Sequence, residues 1–432
     1  MKSSCCACAL DSQGDSAFAP VAAFMPRQSS AMTNFGRRFW VLAALSLGPA
    51  VATSFARFAY ALILPAMRAE LDLSYSQAGS LNTANALGYL VGALLCTHCV
   101  PRLGNRRLFS FGLVVTVLAL LGAGLAESFG GQMAMRVVAG MSSAMVYISG
   151  AVLVSNLYPD RPEVSKSAIA IYFGGAGAGI VVSGVGIPWL LATLGDVAWR
   201  NAWLAIGGIS VIFAIASIWA SRRITEPAAG ATAKPWSMSA FQGALASYFL
   251  FGLGYIAYMT FVIAWMVSRG ASAGSVALTW GTLGVATMLA PIVWRVPRSR
   301  WSATKMLAAV GVVISTGAAI PLYSTALPAM ILSAFFFGTA MFSVPTSITD
   351  LIKASLPKTA WGPAMAVFTV VFAIGQSIGP VLTGWIADAA HSLNASLAAS
   401  VVILLGASVA AMCQRENTIA PASPIRSRIV TR

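Results

Sequence analysis

Apolar runs of about twenty residues follow one another along almost the whole chain, and nothing else in it narrows the fold so far. At 1.5 Å per residue, a run of that length covers roughly 30 Å, the thickness of a bilayer's hydrocarbon core. Twelve such spans are read over 39–65, 76–100, 108–126, 130–157, 167–191, 202–221, 240–267, 274–294, 304–324, 328–350, 361–386 and 393–413. Pro and Gly recur inside several of them, which membrane helices tolerate because neighbouring helices satisfy the freed backbone groups. Hydrophobic residues make up 58% of the chain and charged ones 9%, against roughly 25% charged in soluble domains. No stretch between spans is long enough for an additional soluble domain. The fold class expected is all-α and membrane-embedded.

A formal charge of +15 would point to nucleic acid in a soluble protein. Here the basic residues sit in short loops and report topology instead. Only Arg68, Arg200 and Arg269 lie on one side of the spans, and only Arg57 and Arg136 within them; every other Lys and Arg falls on the side that carries both tails. The positive-inside rule then places both termini in the cytoplasm, which requires an even number of spans. The longest loop on that side, 222–239, carries Pro, Gly, Ala and charge, as a linker between two bundles should. The organisation expected is a disordered tail over 1–38, six helices over 39–221, the linker over 222–239, six more helices over 240–413 and a tail over 414–432. Met25 or Met32 is a plausible natural start, and the upstream segment lacks the pattern of a secretory signal. The halves echo one another: Gly175, Gly179 and Gly184 return 200 residues later as Gly375, Gly379 and Gly384, and Gly88 has Gly284 six spans on.

Arg57 and Arg136 stand out because an ionised side chain at that depth costs roughly 2.5–3.5 kcal/mol on insertion scales. Such residues usually face a wet cavity. Arg57 shares a helical face with Ser46, Thr53 and Tyr60, and Arg136 with Gln132, Gly140, Ser143 and Tyr147. Snorkelling to the headgroups is the plain alternative for Arg57, and a structural pairing with backbone carbonyls is the alternative for Arg136. Asn82, Asn85 and Tyr89 share a face of the second span, fit either to orient a substrate or to bond helix to helix. In the seventh span Tyr248, Tyr255 and Tyr258 form a stripe that is either a pocket wall or an aromatic seam. Gln376 and Thr369 are cavity candidates in the eleventh, while Asp350 reads as a solvated helix end beside Lys353.

Absences matter as well. All 12 Asp and Glu fall in tails, loops or span ends, so proton coupling through a buried acid has no evident carrier beyond Glu127, His98 or the substrate itself. Two buried cations without buried acids favour an anionic cargo, attracted in a low-dielectric cavity. Cys5 and Cys8 have C-x-x-C spacing but no second pair or His to complete a zinc site, so no metal is expected. A nucleotide-binding G-x-x-x-x-G-K-[ST] loop is missing. Two distant His and short loops leave little for an integral-membrane enzyme or a sensor, so neither an enzymatic activity nor a cofactor is expected.

Several local patterns resemble the major facilitator superfamily. Between the second and third spans, Pro101-Arg102-Leu103-Gly104-Asn105-Arg106-Arg107 is similar to that family's gating loop, departing from it at Thr97, Pro101 and Asn105. Arg136-x-x-x-Gly140-x-x-x-Ala144 resembles its pattern around a buried arginine, and Trp199-Arg200-Asn201-Ala202-Trp203 its entry to the sixth span. The antiporter pattern of the fifth span is half present in Gly175 and Gly179, with Ile180 in place of Pro; Gly379-Pro380 is closer to it. Arg57-Phe58-Ala59-Tyr60, Leu64-Pro65-x-Met67 and the run from Gly79 to Tyr89 resemble the YbfB/YjiJ-type bacterial branch. The resemblance implies two pseudo-symmetric six-helix bundles that rock about a midplane site, in an inner-membrane carrier acting as a monomer on a small molecule. It supplies no substrate. The substrate set expected is Arg57, Arg136, Asn82, Asn85, Tyr60, Tyr89, Tyr147, Tyr255, Tyr258 and Gln376. Arg102, Gly104, Arg106 and Arg107 are expected to gate, and Gly175, Gly179, Gly379 and Pro380 to let helices flex. A co-transported proton, import and export all stay open.

Overall fold

The computed structural model describes residues 28–158, 161–226, 237–357 and 360–415. Cys5, Cys6 and Cys8, Met25, most of the linker and the end of the C-terminal tail lie outside them. Of the chain's two compact units, Met1–Phe39 and Trp40–Arg432, the second carries the helix packing and the site described below. Among the described residues twelve helices are long and apolar enough to cross a bilayer. They are α1 Gly36–Glu70, α2 Tyr75–Leu103, α3 Asn105–Leu125, α4 Phe129–Ser155, α5 Ser167–Leu194, α6 Trp199–Ser221, α7 Met238–Ser268, α8 Ala273–Arg300, α9 Ala303–Tyr323, α10 Leu327–Ser355, α11 Trp361–Ala389 and α12 Leu393–Met412.

Each span expected from hydropathy is one of these helices, and several helices outrun their spans. Polar residues prolong a helix past the hydrocarbon until a cap stops it. Ser74 starts α2 with a reciprocal cap: its hydroxyl accepts from the Gln77 N–H, and the Gln77 side chain accepts from the Ser74 N–H. Gly104, at φ 77°, makes the sharp turn into α3 that a side chain would strain.

Two helices are irregular where hydropathy is silent. In α1, Ala50–Phe58 is π-helical, with the Ala59 N–H bonded five residues back to the Ser54 carbonyl. Such wide turns favour functional sites, and this one carries Arg57. In α10 the helix breaks at Phe342 into Leu327–Met341 and Ser343–Ser355. Pro345 explains the break, since its ring would clash with the carbonyl four residues earlier, at Met341.

Helix pairing follows an internal symmetry. In the first six helices α2 packs on α4, α3 on α4 and α6, and α1 on α5; six helices later α8 packs on α10, α9 on α10 and α12, and α7 on α11. The repeated glycines lie at equivalent places in this scheme. A Cβ on Gly175 would meet the Ser46 carbonyl of α1, and one on Gly375 the Phe249 carbonyl of α7. Gly179 faces Ala50 and Ser54, while Gly379 faces Leu253. Gly88 and Gly284 differ: the first faces Val137 of α4 and the second Gly177 of α5.

The two halves meet through α2 with α11, α5 with α8, and α1 with α7. Their contacts run from mid-depth towards the face bearing the 71–74 turn, called here the far face. The opposite, basic face carries Gly104 and the turn at 301–302 that follows α8.

Candidate functional site

The π-helical turn of α1 directs Arg57 across the interface between halves, where it is only 8% exposed. Its Nη2 donates to Oε1 of Gln376 on α11 at 2.5 Å. The Tyr255 hydroxyl of α7 donates to the same oxygen at 3.3 Å, and the guanidinium lies 5.9 Å from the Tyr89 ring centroid. Among the described residues no acid pairs with Arg57, and two buried donors, Arg57 Nε and Gln376 Nε2, have no acceptor. The site therefore holds a cation and two nitrogens with unpaired N–H groups, contributed by opposite halves.

Aromatic walls stand on either side. From the first half come Tyr89, Tyr147 and Phe173, with Tyr147 4.7 Å from Phe173 and 6.5 Å from Tyr89. From the second come Tyr248, Phe251, Tyr255 and Phe372, stacked nearly parallel at 4.8–6.1 Å. Tyr89 of the first wall lies by the Arg57 guanidinium, and Tyr255 of the second bonds the Gln376 oxygen that Arg57 uses, so the two walls meet at this site. Tyr89, Tyr147, Phe173 and Phe372 are partly exposed. Phe173, Phe251 and Phe372 were not evident from the sequence, because a lone Phe in a membrane span looks like ordinary lipid-facing or core residue.

Arg136 is seated differently. It is 2% exposed and donates to the Leu81 carbonyl at 3.3 Å, the Ala56 carbonyl at 2.7 Å and Asn82 Oδ1 at 2.9 Å. Its guanidinium lies 4.6 Å from the Tyr60 ring centroid and 5.9 Å from that of Trp203. All these partners belong to the first half. Asn85 bonds the Ala56 and Arg136 carbonyls, and Tyr60 donates to the Ala78 carbonyl. Gly140, where a Cβ would collide with the Asn85 carbonyl, permits the α2–α4 approach that assembles the cluster. Asn82 alone reaches across, donating to Thr260 of α7 at 2.6 Å. Tyr258 shares a hydrogen bond with Ser333 at 2.7 Å and stacks on Phe337, inside the second half. Thr369 bonds back to the Met365 carbonyl of its own helix. Thus Arg57, Gln376, Tyr255, Tyr89 and Tyr147 converge, while Arg136, Asn85 and Tyr60 form a separate cluster that Asn82 ties to Thr260 of α7.

On the far face the halves are clasped. Asp388, at the end of α11, accepts the N–H groups of Tyr75 and Ser76 at 2.8 Å each, at the start of α2. The Thr83 hydroxyl donates to the Ser377 carbonyl at 2.6 Å, and Gly79 admits the Pro380 carbonyl. Nearby, Arg200 pairs with Glu127 at 3.1 Å and with Glu70 at 3.4 Å, so Glu127 is held in a surface ion pair.

At the basic face, the Arg106 N–H donates to Glu226 Oε1 at 3.0 Å and its side chain to the Ile224 carbonyl at 2.6 Å. An acid from the start of the linker thus reaches the loop that has Pro101 where its motif expects Asp. Arg102 bonds His98 at 3.0 Å. Asp350 forms a forked pair with Arg298, at 2.5 and 2.8 Å. Among the described residues no group of three or more His, Cys, Asp or Glu is placed to hold a metal ion.

Comparison with known proteins agrees with this architecture. Residues 49–412 match the family described as "Uncharacterised MFS-type transporter YbfB". "Uncharacterized transporter YycB" of Bacillus subtilis (strain 168) is 27% identical over 208 residues, 47% of this chain and 49% of that protein. "Inner membrane transport protein YdhP" of Escherichia coli (strain K12) is 27% identical over 177 residues, 40% of this chain and 42% of its own length. The matches thus span less than half the length of these relatives. Among solved structures, the crystal structure of a bacterial homologue of the human lysosomal transporter Spinster, inward-facing and unoccupied, has a TM-score of 0.68. It covers 89% of this chain and 99% of that one at 17% identity, a likeness of fold.

Proposed function

This chain belongs to the YbfB-type family of major facilitator transporters, and from that premise we propose that it is a secondary carrier of a small organic anion. In this reading it works as a monomer by alternating access, in a bacterial inner membrane with both termini in the cytoplasm. The observation that carries the anion assignment is Arg57: a buried cation at the seam between halves, without an acid, its Nε unsatisfied beside the unsatisfied Nε2 of Gln376. A buried charge left uncompensated costs several kcal/mol, so an anion that pairs with it gains what solvent would otherwise supply.

The geometry supports a division of labour. Arg136 ties α1, α2 and α4 into one body and presents Asn82 to the other half. Arg57 and Gln376 hold cargo between bodies, so a bound anion touches both halves at once. With the clasp at Asp388 closed, access runs along the aromatic walls to the basic face. Rocking then releases the clasp and packs the basic ends together, with Gly175, Gly179, Gly379 and Pro380 as the points where close-packed helices slide. Arg102, Gly104, Arg106 and Arg107 act at that basic gate, with Glu226 supplying the missing acid. The aromatic walls also suit outward transport of a drug-like or metabolic anion, so direction is part of the test.

The test is flux of a radiolabelled anion panel in proteoliposomes, loaded inside or outside, with and without a pH gradient, for the wild-type protein and Arg57→Gln. Saturable flux that Arg57→Gln abolishes is the expected result. Equal flux in both proteins would remove the anion-site assignment; flux of neutral solutes alone would do the same.

A further inference from the structure

We infer that the carried anion is a carboxylate joined to a flat aromatic ring. This rests on the anion-carrier reading above and narrows it to a substrate class.

The donor set fixes the charged end. Arg57 Nε, with one N–H, and Gln376 Nε2, with two, are buried nitrogens without acceptors, one from each half. A carboxylate brings two oxygens in one plane, which a guanidinium edge and a neighbouring amide can share. Sulfate or phosphate would bring further oxygens against the surrounding rings, where each unpaired acceptor is penalised. One carboxylate fits the donors present.

The walls fix the other end. Phe372 lies 4.8 Å from Tyr248 and 5.6 Å from Tyr255, with ring planes within 21°. Across the seam Tyr147 lies 4.7 Å from Phe173 and meets Tyr89 edge-on. Four of these six rings, Tyr89, Tyr147, Phe173 and Phe372, keep part of their surface uncovered, although they lie deep in their helices. Part-exposed rings contributed by both halves around one charged site match a planar ring, which gains from offset or edge-on packing beyond the area it buries. The Tyr89, Tyr147 and Tyr248 hydroxyls have no hydrogen-bond partner among the described residues, leaving groups that suit a ring hydroxyl or ring nitrogen.

The experiment compares ligand-induced thermal stabilisation of the purified full chain by benzoate, indole-3-acetate, cyclohexanecarboxylate, acetate and inorganic phosphate across a concentration series. Wild type, Arg57→Gln, Phe372→Leu and Tyr147→Leu are measured, each first checked for an unperturbed ligand-free melt. The aromatic acids are expected to bind roughly tenfold more tightly than cyclohexanecarboxylate. That preference should shrink to about threefold or less in whichever leucine variants keep the wild-type melt, and all binding should weaken by roughly 10- to 100-fold in Arg57→Gln. If benzoate and cyclohexanecarboxylate bind alike, or phosphate binds best, and Arg57→Gln weakens that binding, the ring inference is overturned while the anion reading stands. Should no anion stabilise the wild type, or should binding be undiminished in Arg57→Gln, the anion reading itself goes and takes the inference with it.

Discussion

Arg57 and Arg136 are the same residue type, buried in neighbouring helices of one half, yet they are seated in opposite ways. Arg136 spends its donors on two backbone carbonyls and an amide from its own half and is covered by two rings. Arg57 has one hydrogen-bond partner among the described residues, which comes from the other half, and keeps a donor unused. A buried cation saturated within one rigid body has nothing left to give a ligand. One that is under-satisfied across a moving seam is available to a cargo. Burial alone does not separate the two; the origin of the acceptors does.

The largest expected effect tests the scaffold side of that contrast. Arg136→Gln leaves the Asn82 amide oxygen without its donor and the Ala56 carbonyl with only the 3.4 Å bond from Asn85, and removes a bond from the Leu81 carbonyl; a buried acceptor left unpaired costs roughly 1–3 kcal/mol. A loss of about 3 kcal/mol or more is expected, read as a lower unfolding midpoint in detergent and a reduced folded yield. Arg57→Gln should behave in the opposite sense. It removes an uncompensated buried charge, so the midpoint should hold or rise, while anion binding falls by roughly 10- to 100-fold, the value of a charge-assisted bond. If both variants melted alike, the distinction between scaffold and site would be lost.

How much of this was legible in the sequence follows from the same contrast. The spans were readable because crossing hydrocarbon leaves a chain few options, and the glycine echo at 175/375 and 179/379 was readable because close packing forbids a Cβ. That Arg57 and Arg136 lie inside membrane-spanning helices was also visible. Their partners were not, since Gln376 lies 319 residues from Arg57 and helical periodicity says nothing about which neighbour a face meets. The π-helical turn left no compositional trace. Asp388 did leave one: a carboxylate in the last turn of a helix opposes that helix's own dipole. Its partner is the start of α2, where the dipole favours it.

That clasp supplies the next test, on the moving seam rather than within a half. Asp388→Ala removes two charge-assisted bonds to the Tyr75 and Ser76 N–H groups. A carboxylate at a partly buried helix start contributes up to about 2 kcal/mol, which corresponds to roughly a 30-fold change in the ratio of closed to open far face. The measurement is labelling of Thr83→Cys by an impermeant thiol reagent added from the far side. Faster labelling in the Asp388→Ala background is expected; an unchanged rate would mean that the glycine-lined contacts of α2 with α11 hold the face shut without the carboxylate.

The smallest effect sharpens the contrast from the second half. Tyr258 is a buried tyrosine on the same helix as Tyr255, so by sequence the two are equal candidates. Tyr255 bonds the Gln376 oxygen that Arg57 also uses, whereas Tyr258 bonds Ser333 and stacks 4.1 Å from Phe337, wholly within its own half. Tyr258→Phe should therefore cost about 0.5–1.5 kcal/mol of stability and no more, because Ser333 keeps its bond to the Gly317 carbonyl. Flux should stay at the wild-type level. Tyr255→Phe should do the reverse, weakening cargo binding with little change in the melt, since Gln376 retains Arg57. Measured side by side, the pair asks whether a hydroxyl's role follows the body its partner belongs to; a flux defect in Tyr258→Phe matching that of Tyr255→Phe would show that it does not.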